Sequence, residues 1–408
     1  MVTVLVFLAV LAVLVLSHEL GHFILARRSG MRVEEFGFGF PPRLFAVRRL
    51  VKHAAVAAAA EASGGKAARP GGKPMAGQVR WEVSWGRKEK PARVDETDWG
   101  RGTLYSFNLL PLGGFVRIKG EDGAARQEAD SFSAQPVYRR IAVVVAGVVM
   151  NVFLGFILFT VSFRSGVAQP TAAGAAPGGE VVERRVVILQ VRPDTPAAQV
   201  GLQAGDKIAQ VDARVGFSVA ELQQYIQEHA GAELAVTVER AGALRQYRAT
   251  PVVNPDTGRP GLGIAIAEIS TVRYPWGAAI REGAQATGNY LAQIFRSFGV
   301  LLSDIFQGQG VGSSVAGPVG VAVLTGEAAR LGFGYLIQFT ALLSLNLAVL
   351  NILPFPALDG GRLVFLVAEA VIRRRLPPRY ERLINTAGFL FLLLLILAVT
   401  IKDLRVLF

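Results

Sequence analysis

The chain has 408 residues, of which 51% are hydrophobic and only 18% charged, with no cysteine and a formal net charge of +12. Soluble domains carry about 25% charged residues, so this is the composition of a membrane protein. The lack of cysteine excludes disulfides and thiolate metal ligands, leaving His, Asp and Glu for any metal. The positive charge does not point to nucleic acid, because the arginines cluster beside apolar runs, as in the cytoplasmic loops of membrane proteins.

The first apolar run, about Val2–Leu25 within segment 1–26, has the roughly 20 residues needed to cross a bilayer. It lacks a basic leader and a small-residue cleavage site, so a retained span is expected rather than a signal peptide. Within it stands His18-Glu19-Leu20-Gly21-His22. Residues four apart on a helix are separated by about 400°, so both imidazoles leave one face, one turn apart. Such a pair can hold Zn²⁺, and a Glu beside the first His can act on water at the metal. Chance is the competing reading. With four histidines in the chain, an accidental match falls well below roughly one per cent. Ionisable groups without a task would also cost several kcal/mol in hydrocarbon.

Arg27, Arg28 and Arg32 open segment 27–138. Val33–Phe45 and Tyr105–Lys119 are apolar, β-prone and punctuated by glycine, and are expected to be hairpin strands lying against or dipping into the membrane. Between them, about 54–101 is rich in Ala, Gly, Lys and Arg and is expected to be a flexible insertion, with a Trp81–Trp85 strand near its end. A second span, about Ile141–Phe163 within segment 139–165, is preceded by Arg139 and Arg140. Segment 175–270 alternates strand-like runs (Val186–Val191, Leu234–Arg240, Arg245–Pro251) with a helix at about Val219–His229. Segment 271–332 carries apolar residues at helical spacing over Pro275–Phe306, expected to form one or two amphipathic helices, then a turn-rich re-entry at Gly310–Gly320. Spans at 333–362 and 383–402 flank a basic loop, 363–382, with Arg373, Arg374, Arg375, Arg379 and Arg382. With four spans every basic cluster falls on one side. Loops 27–138 and 363–382 are then cytoplasmic and both termini extracytoplasmic.

A catalytic zinc takes three protein ligands and a water. His53 and His229 fall outside the spans, which leaves a carboxylate at membrane depth. Asp359 stands out, in Asn351-Ile352-Leu353-Pro354-Phe355-Pro356-Ala357-Leu358-Asp359-Gly360-Gly361. Prolines break the span there, and broken helix at membrane depth occurs only where it is buried in protein or lines a cavity. The competing reading is an Asp that caps a helix at Gly360.

The run Gly201-Leu202-Gln203-Ala204-Gly205-Asp206-Lys207-Ile208 resembles the PDZ-fold domains of bacterial proteases. Such a domain implies a groove for an extended peptide; a spacer or a steric filter stays open as its role. Together with His-Glu-x-x-His, the Asn-x-x-Pro-x-Pro-x-Leu-Asp-Gly-Gly run and Gly317-Pro318-Val319-Gly320, nearly the whole chain outside 54–101 resembles the bacterial site-2 proteases. These are intramembrane zinc metalloproteases of the regulator-of-sigma-E type. The fold implied is a polytopic α-helical membrane protein with four transmembrane helices, membrane-associated β-hairpin elements and an inserted extracytoplasmic PDZ domain of α+β class.

The resemblance implies one Zn²⁺ per chain on His18, His22 and Asp359, with Glu19 as catalytic base. Asn346, Asn351, Pro354 and Pro356 are the implied substrate contacts. The strands around Gly37–Phe40 and Pro111–Val116 would present the substrate. Implied substrates are single-span membrane proteins, such as anti-sigma factors or remnant signal peptides, cut near the cytoplasmic side of the bacterial inner membrane. The lipid bilayer, and a peptide ligand at the PDZ groove, complete the expected partners, with no nucleic acid. Two departures stand out. Val148 replaces the family's proline in Ala146-Gly147-Val148-Val149-Met150-Asn151, which allows a straighter helix and touches no catalytic group. The interval between spans two and three has room for a single PDZ domain. The alternative function is a non-catalytic membrane PDZ scaffold with a structural metal site, which would not need Glu19. A metal-ion transporter would spread its ionisable groups over several spans.

Overall fold

The computed structural model describes residues 2–52, 79–86, 99–123, 125–170, 178–240, 242–253, 258–308, 316–375 and 377–407. In chain order its helices are α1 (Val2–Arg28), α2 (Val137–Ser165), α3 (Pro196–Gln199), α4 (Val219–Glu228), α5 (Trp276–Phe306), α6 (Pro318–Leu331), α7 (Phe333–Ile352), α8 (Asp359–Ile372) and α9 (Pro378–Leu407). Four of these, α1, α2, α7 and α9, are long and apolar enough to cross a membrane. Strands β1 (Val33–Lys52), β2 (Val79–Trp85) and β3 (Trp99–Ile118) form one sheet. A second chain of strands runs from β4 (Val167–Pro170) and β5 (Glu180–Val191) through β6 (Lys207–Val211), β7 (Arg214–Val215), β8 (Leu234–Arg240) and β9 (Ala243–Ala249). It continues with β10 (Val252–Val253), β11 (Pro260–Gly261) and β12 (Ile264–Arg273).

Residues 1–155, 289–326 and 340–408 make one compact unit. In it α1 ends at Gly30, whose φ of 78° suits a residue without Cβ. Gly30 N donates to Arg27 O and Met31 N to Ala26 O, so a Schellman turn closes the helix. The turn delivers Met31 and Val33 into a buried cluster with Ala26, Ile118, Phe132, Val143, Val144 and Leu366. That cluster ties the end of α1 to β1, β3, α2 and α8.

The sheet has the order β2-β1-β3, all antiparallel. Two stretches of β3 flank the first half of β1, so that Phe36 faces Tyr105 on one side and Val116 on the other. The short hairpin strands expected from sequence are thus 20-residue strands. The strand expected at Trp81–Trp85 is present as β2, the sheet's outer strand. Cross-strand aromatic packing explains the extension: Phe45 stacks on Phe107 at 4.7 Å and meets Trp85 at 5.6 Å. The rest of the expected insertion, residues 54–78 and 87–98, lies outside the described residues.

Helix α7 ends at Ile352, and a non-helical break precedes α8. The break expected at the prolines of segment 333–362 thus divides it into two helices, and α8 extends into the expected loop 363–382. Its apolar residues Leu363 and Leu366 pack into the cluster described above, which is why it is ordered as helix. Helix α5 is a single helix of 31 residues where one or two were expected. In the Gly-Pro-x-Gly stretch, Pro318 takes the first position of α6, and the Asp403 carboxylate of α9 accepts from Gly317 N (3.2 Å) and Gly320 N (2.7 Å). The preceding residues 309–315 lie outside the described residues.

Residues 156–288 and 327–339 make the second unit. Its sheet runs β4-β12-β5-β6-β8-β9, with β7 beside β6. Val186 and Ile188, and Leu234, Val236 and Val238, are buried at every second position, as strands with one covered face require. Leu222, Tyr225 and Ile226 of α4 complete the core. A capping box between Ser218 and Glu221 starts that helix. The Gly201–Ile208 run owes its pattern to Asp206, which is 1% exposed. Its carboxylate takes Arg240 Nε and Nη2 at 2.6 Å each and Gln203 N at 2.9 Å. Removing one partner of such a pair strands the other. Asp206→Ala should destabilise this domain by about 3 kcal/mol, read as faster hydrogen exchange in β6 and β8 while α1 is unaffected. Unchanged exchange would show that the pair carries no such weight.

Candidate active site

His18 and His22 leave the same face of α1 and meet Asp359, the first residue of α8, whose N-cap is Leu358. The capping role considered for Asp359 is therefore not the one it takes. Asp359 Oδ2 lies 2.9 Å from His18 Nε2 and 3.2 Å from His22 Nε2, and the two Nε2 atoms are 3.1 Å apart. This is a near-equilateral triangle of donor atoms. Its edges approach the edge of a zinc tetrahedron, about 3.3 Å for ligands near 2.0 Å. Asp359 Oδ2 is buried and has no hydrogen-bond partner among the described residues. The three donor atoms thus face one point. Among the described residues these three form the one group able to hold a metal ion, and two imidazoles with a carboxylate suit Zn²⁺.

The neighbouring helix makes the convergence possible. A Cβ on Gly21 would collide with the Ala146 carbonyl oxygen. A Cβ on Gly147 would strike His22 Nε2 and lie 2.7 Å from His18 Cε1. His22 Nδ1 is 2.8 Å from the Val143 carbonyl. A carbonyl only accepts, so Nδ1 carries the hydrogen and Nε2 turns its lone pair to the triangle.

Glu19 opens with the triangle onto a cavity of about 190 Å³, also lined by Phe115, Val116 and Arg362. Strand β3 passes beside it at Gly114. A larger cavity of about 570 Å³ shares Asp359, Glu121 and Arg362 with the first. Arg362 of α8 is ion-paired with Glu121, just after β3, at the shared wall. The arrangement puts three donor atoms that could hold a metal and the Glu19 carboxylate on the wall of one cavity.

The sequence model of peptidase family M50 matches residues 6–60 and 93–395. The chain belongs to peptidase family M50. It is 29% identical over 429 residues to the zinc metalloprotease RasP of Geobacillus kaustophilus, covering 98% of this chain and 97% of the relative. It is 28% identical over 436 residues to the regulator of sigma-W protease RasP of Bacillus subtilis, covering 100% and 99%. The PDZ domain of an SdrC-like protein from Listeria innocua is 28% identical, with 20% of this chain and 92% of that chain covered and a TM-score of 0.19.

In this M50 peptidase the residues expected at the site divide. His18, His22, Asp359 and Glu19 come together. Asn351 Nδ2 lies 3.5 Å from both ring nitrogens of His18. Asn346 turns instead to its own helix, donating to Leu342 O at 2.9 Å. Pro356 packs on Gly388 of α9, and Pro354 is exposed in the break. Sequence reasoning passed over Gly147, Asn151 and the Arg362–Glu121 pair. Only the Ala146–Asn151 run hinted at the first two.

Alanine is the better helix former than glycine by about 1 kcal/mol, so Gly147→Ala should not harm the helix as such. It should instead force the imidazoles apart and lower zinc retention against a chelator by roughly tenfold or more, measured by metal analysis of the purified protein. Wild-type zinc content in that variant would contradict the packing argument.

Proposed function

We propose that this intramembrane zinc peptidase binds one Zn²⁺ per chain through His18, His22 and Asp359. Glu19 is its general base, and its substrates are single-span membrane proteins cut near the cytoplasmic side of the bacterial inner membrane. The observation that carries the reading is the triangle of donor atoms with Glu19 beside it in one cavity. The name of the Geobacillus relative supports zinc, and that of the Bacillus relative supports a regulator of a sigma factor as substrate class; remnant signal peptides are the other class.

When bound, zinc lowers the pKa of water towards about 7 and polarises the scissile carbonyl. Glu19 accepts the proton of the attacking water and delivers it to the leaving amine nitrogen. A membrane-spanning substrate hides its carbonyls inside its own helix, so it must unwind before it can react. The 114–118 stretch of β3 has β1 on one side and, among the described residues, no strand on the other. It lines the cavity with Phe115, Val116 and Ile118. Pairing with that edge would replace the hydrogen bonds an unwound substrate loses, and Asn351 can hold its backbone from the opposite element.

The second unit is read as a PDZ-type domain on the extracytoplasmic side, as the arginine distribution supports. Its groove of about 680 Å³ runs between α4, with Gln223 and Ile226, and the Gly261–Ile264 turn into β12. It would take a peptide end or act as a steric filter, and both termini of the chain would lie on that side.

Glu19→Gln should keep zinc yet cut a single-span test substrate in detergent at least about 100-fold more slowly, whereas Asp359→Ala should lose both metal and cleavage. Cleavage by Glu19→Gln at the wild-type rate would overturn the mechanism. Zinc-loaded wild type that cuts none of a panel of single-span proteins would favour the scaffold reading.

A further inference from the structure

The lone pair of His22 Nε2 is aimed by the Val143 carbonyl at Nδ1. His18 needs the same service, and the group facing its Nδ1 is the side-chain amide of Asn151, also on α2, with Nδ2 3.5 Å away. Asn151 is fully buried, and its Oδ1 has no hydrogen-bond partner among the described residues. A buried amide oxygen without a partner has lost its hydration with nothing in return. The oxygen and nitrogen of an amide have nearly the same shape, and a half-turn exchanges them. With Oδ1 facing the ring, one hydrogen bond satisfies the orphan oxygen and fixes the hydrogen on His18 Nδ1. His18 Nε2 is then left to face Asp359 Oδ2 and His22 Nε2.

We propose that Asn151 is a positioning residue that accepts a hydrogen bond from His18 Nδ1–H and thereby sets the ring to bind the metal through Nε2. Asn351 does not fill this role. Its Nδ2 is equidistant from both ring nitrogens, so it selects neither, and it is only half-buried. Asn151 is held in place from the other side, where Ser344 Oγ of α7 donates to its backbone carbonyl at 2.8 Å. The inference rests on His18 being a metal ligand, as proposed above.

The test uses the purified full-length protein in detergent. Asn151→Leu keeps the volume and removes the acceptor; Asn151→Asp keeps an acceptor. Zinc retention against a chelator and the visible spectrum of the Co²⁺-substituted protein are read for both, with wild type and His22→Ala as references. Asn151→Leu should weaken zinc binding by 10- to 100-fold and shift the cobalt bands, and Asn151→Asp should retain zinc close to wild type. Wild-type retention and spectrum in Asn151→Leu, or equal losses in both variants, would overturn the proposal, the latter assigning Asn151 to packing alone. Nitrogen-15 histidine spectra of the zinc-loaded wild type answer the question even if Asn151→Leu fails to fold. Hydrogen on Nδ1 of both ligand histidines is expected, and hydrogen on His18 Nε2 would refute it. Wild type that holds no zinc would bring down the metal-site reading itself, whereas zinc-loaded wild type with an indifferent Asn151→Leu would bring down this inference alone.

Discussion

Two imidazoles on a membrane helix can converge on a carboxylate only if the adjoining helix leaves them room and gives them something to lean on. Here α2 does both. Gly21 and the Ala146 backbone bring the helices together, Gly147 vacates the space under both rings, and Val143 fixes one ring from behind. In lipid no hydrophobic force draws one apolar helix to another, so small residues and polar side chains must supply the attraction through close packing and hydrogen bonds. The same short segment of α2 thus builds the helix contact and shapes the site.

The third donor arrives by a different route. The break after Ile352 lets the chain turn, and α8 restarts with Asp359 at its first position. Ala357 sits in the break with φ of 71°, a left-handed conformation that a residue with a Cβ seldom adopts. Backbone freed from helix in this way needs protein around it. The Arg362–Glu121 pair joins α8 to the segment after β3, and Arg140 on α2 reaches Glu369 on α8 at 2.6 Å. The two pairs hold α8, and with it Asp359, against the segment that follows β3 and against α2, the helix on which the histidines lean.

The parts of this architecture that were legible in the sequence are those written in spacing or by elimination. His18 and His22 are one turn apart, and Asp359 stands out in a chain without cysteine. The alternation of Leu234, Val236 and Val238 announces a strand with one covered face. The extent of the first sheet was not legible, because Phe45 finds Phe107 and Trp85 far along the chain and no local pattern reports that pairing. Helix α8 is hard to see in the sequence because its arginine-rich end masks the short apolar stripe of Leu363 and Leu366. Gly147 and Asn151 were visible only as a glycine and an amide in an apolar run, since their meaning depends on which rings lie across from them. Asp206 likewise shows its worth only once Arg240, 34 residues later, is folded against it.

The proposed metal site requires two imidazoles from α1 and one carboxylate from α8 to converge on a single ion. X-ray absorption at the zinc edge of the purified protein tests it most directly. Four light-atom ligands near 2.0–2.1 Å are expected, with the multiple-scattering signature of two imidazoles. A spectrum with no imidazole scattering, or a six-coordinate oxygen shell, would contradict it.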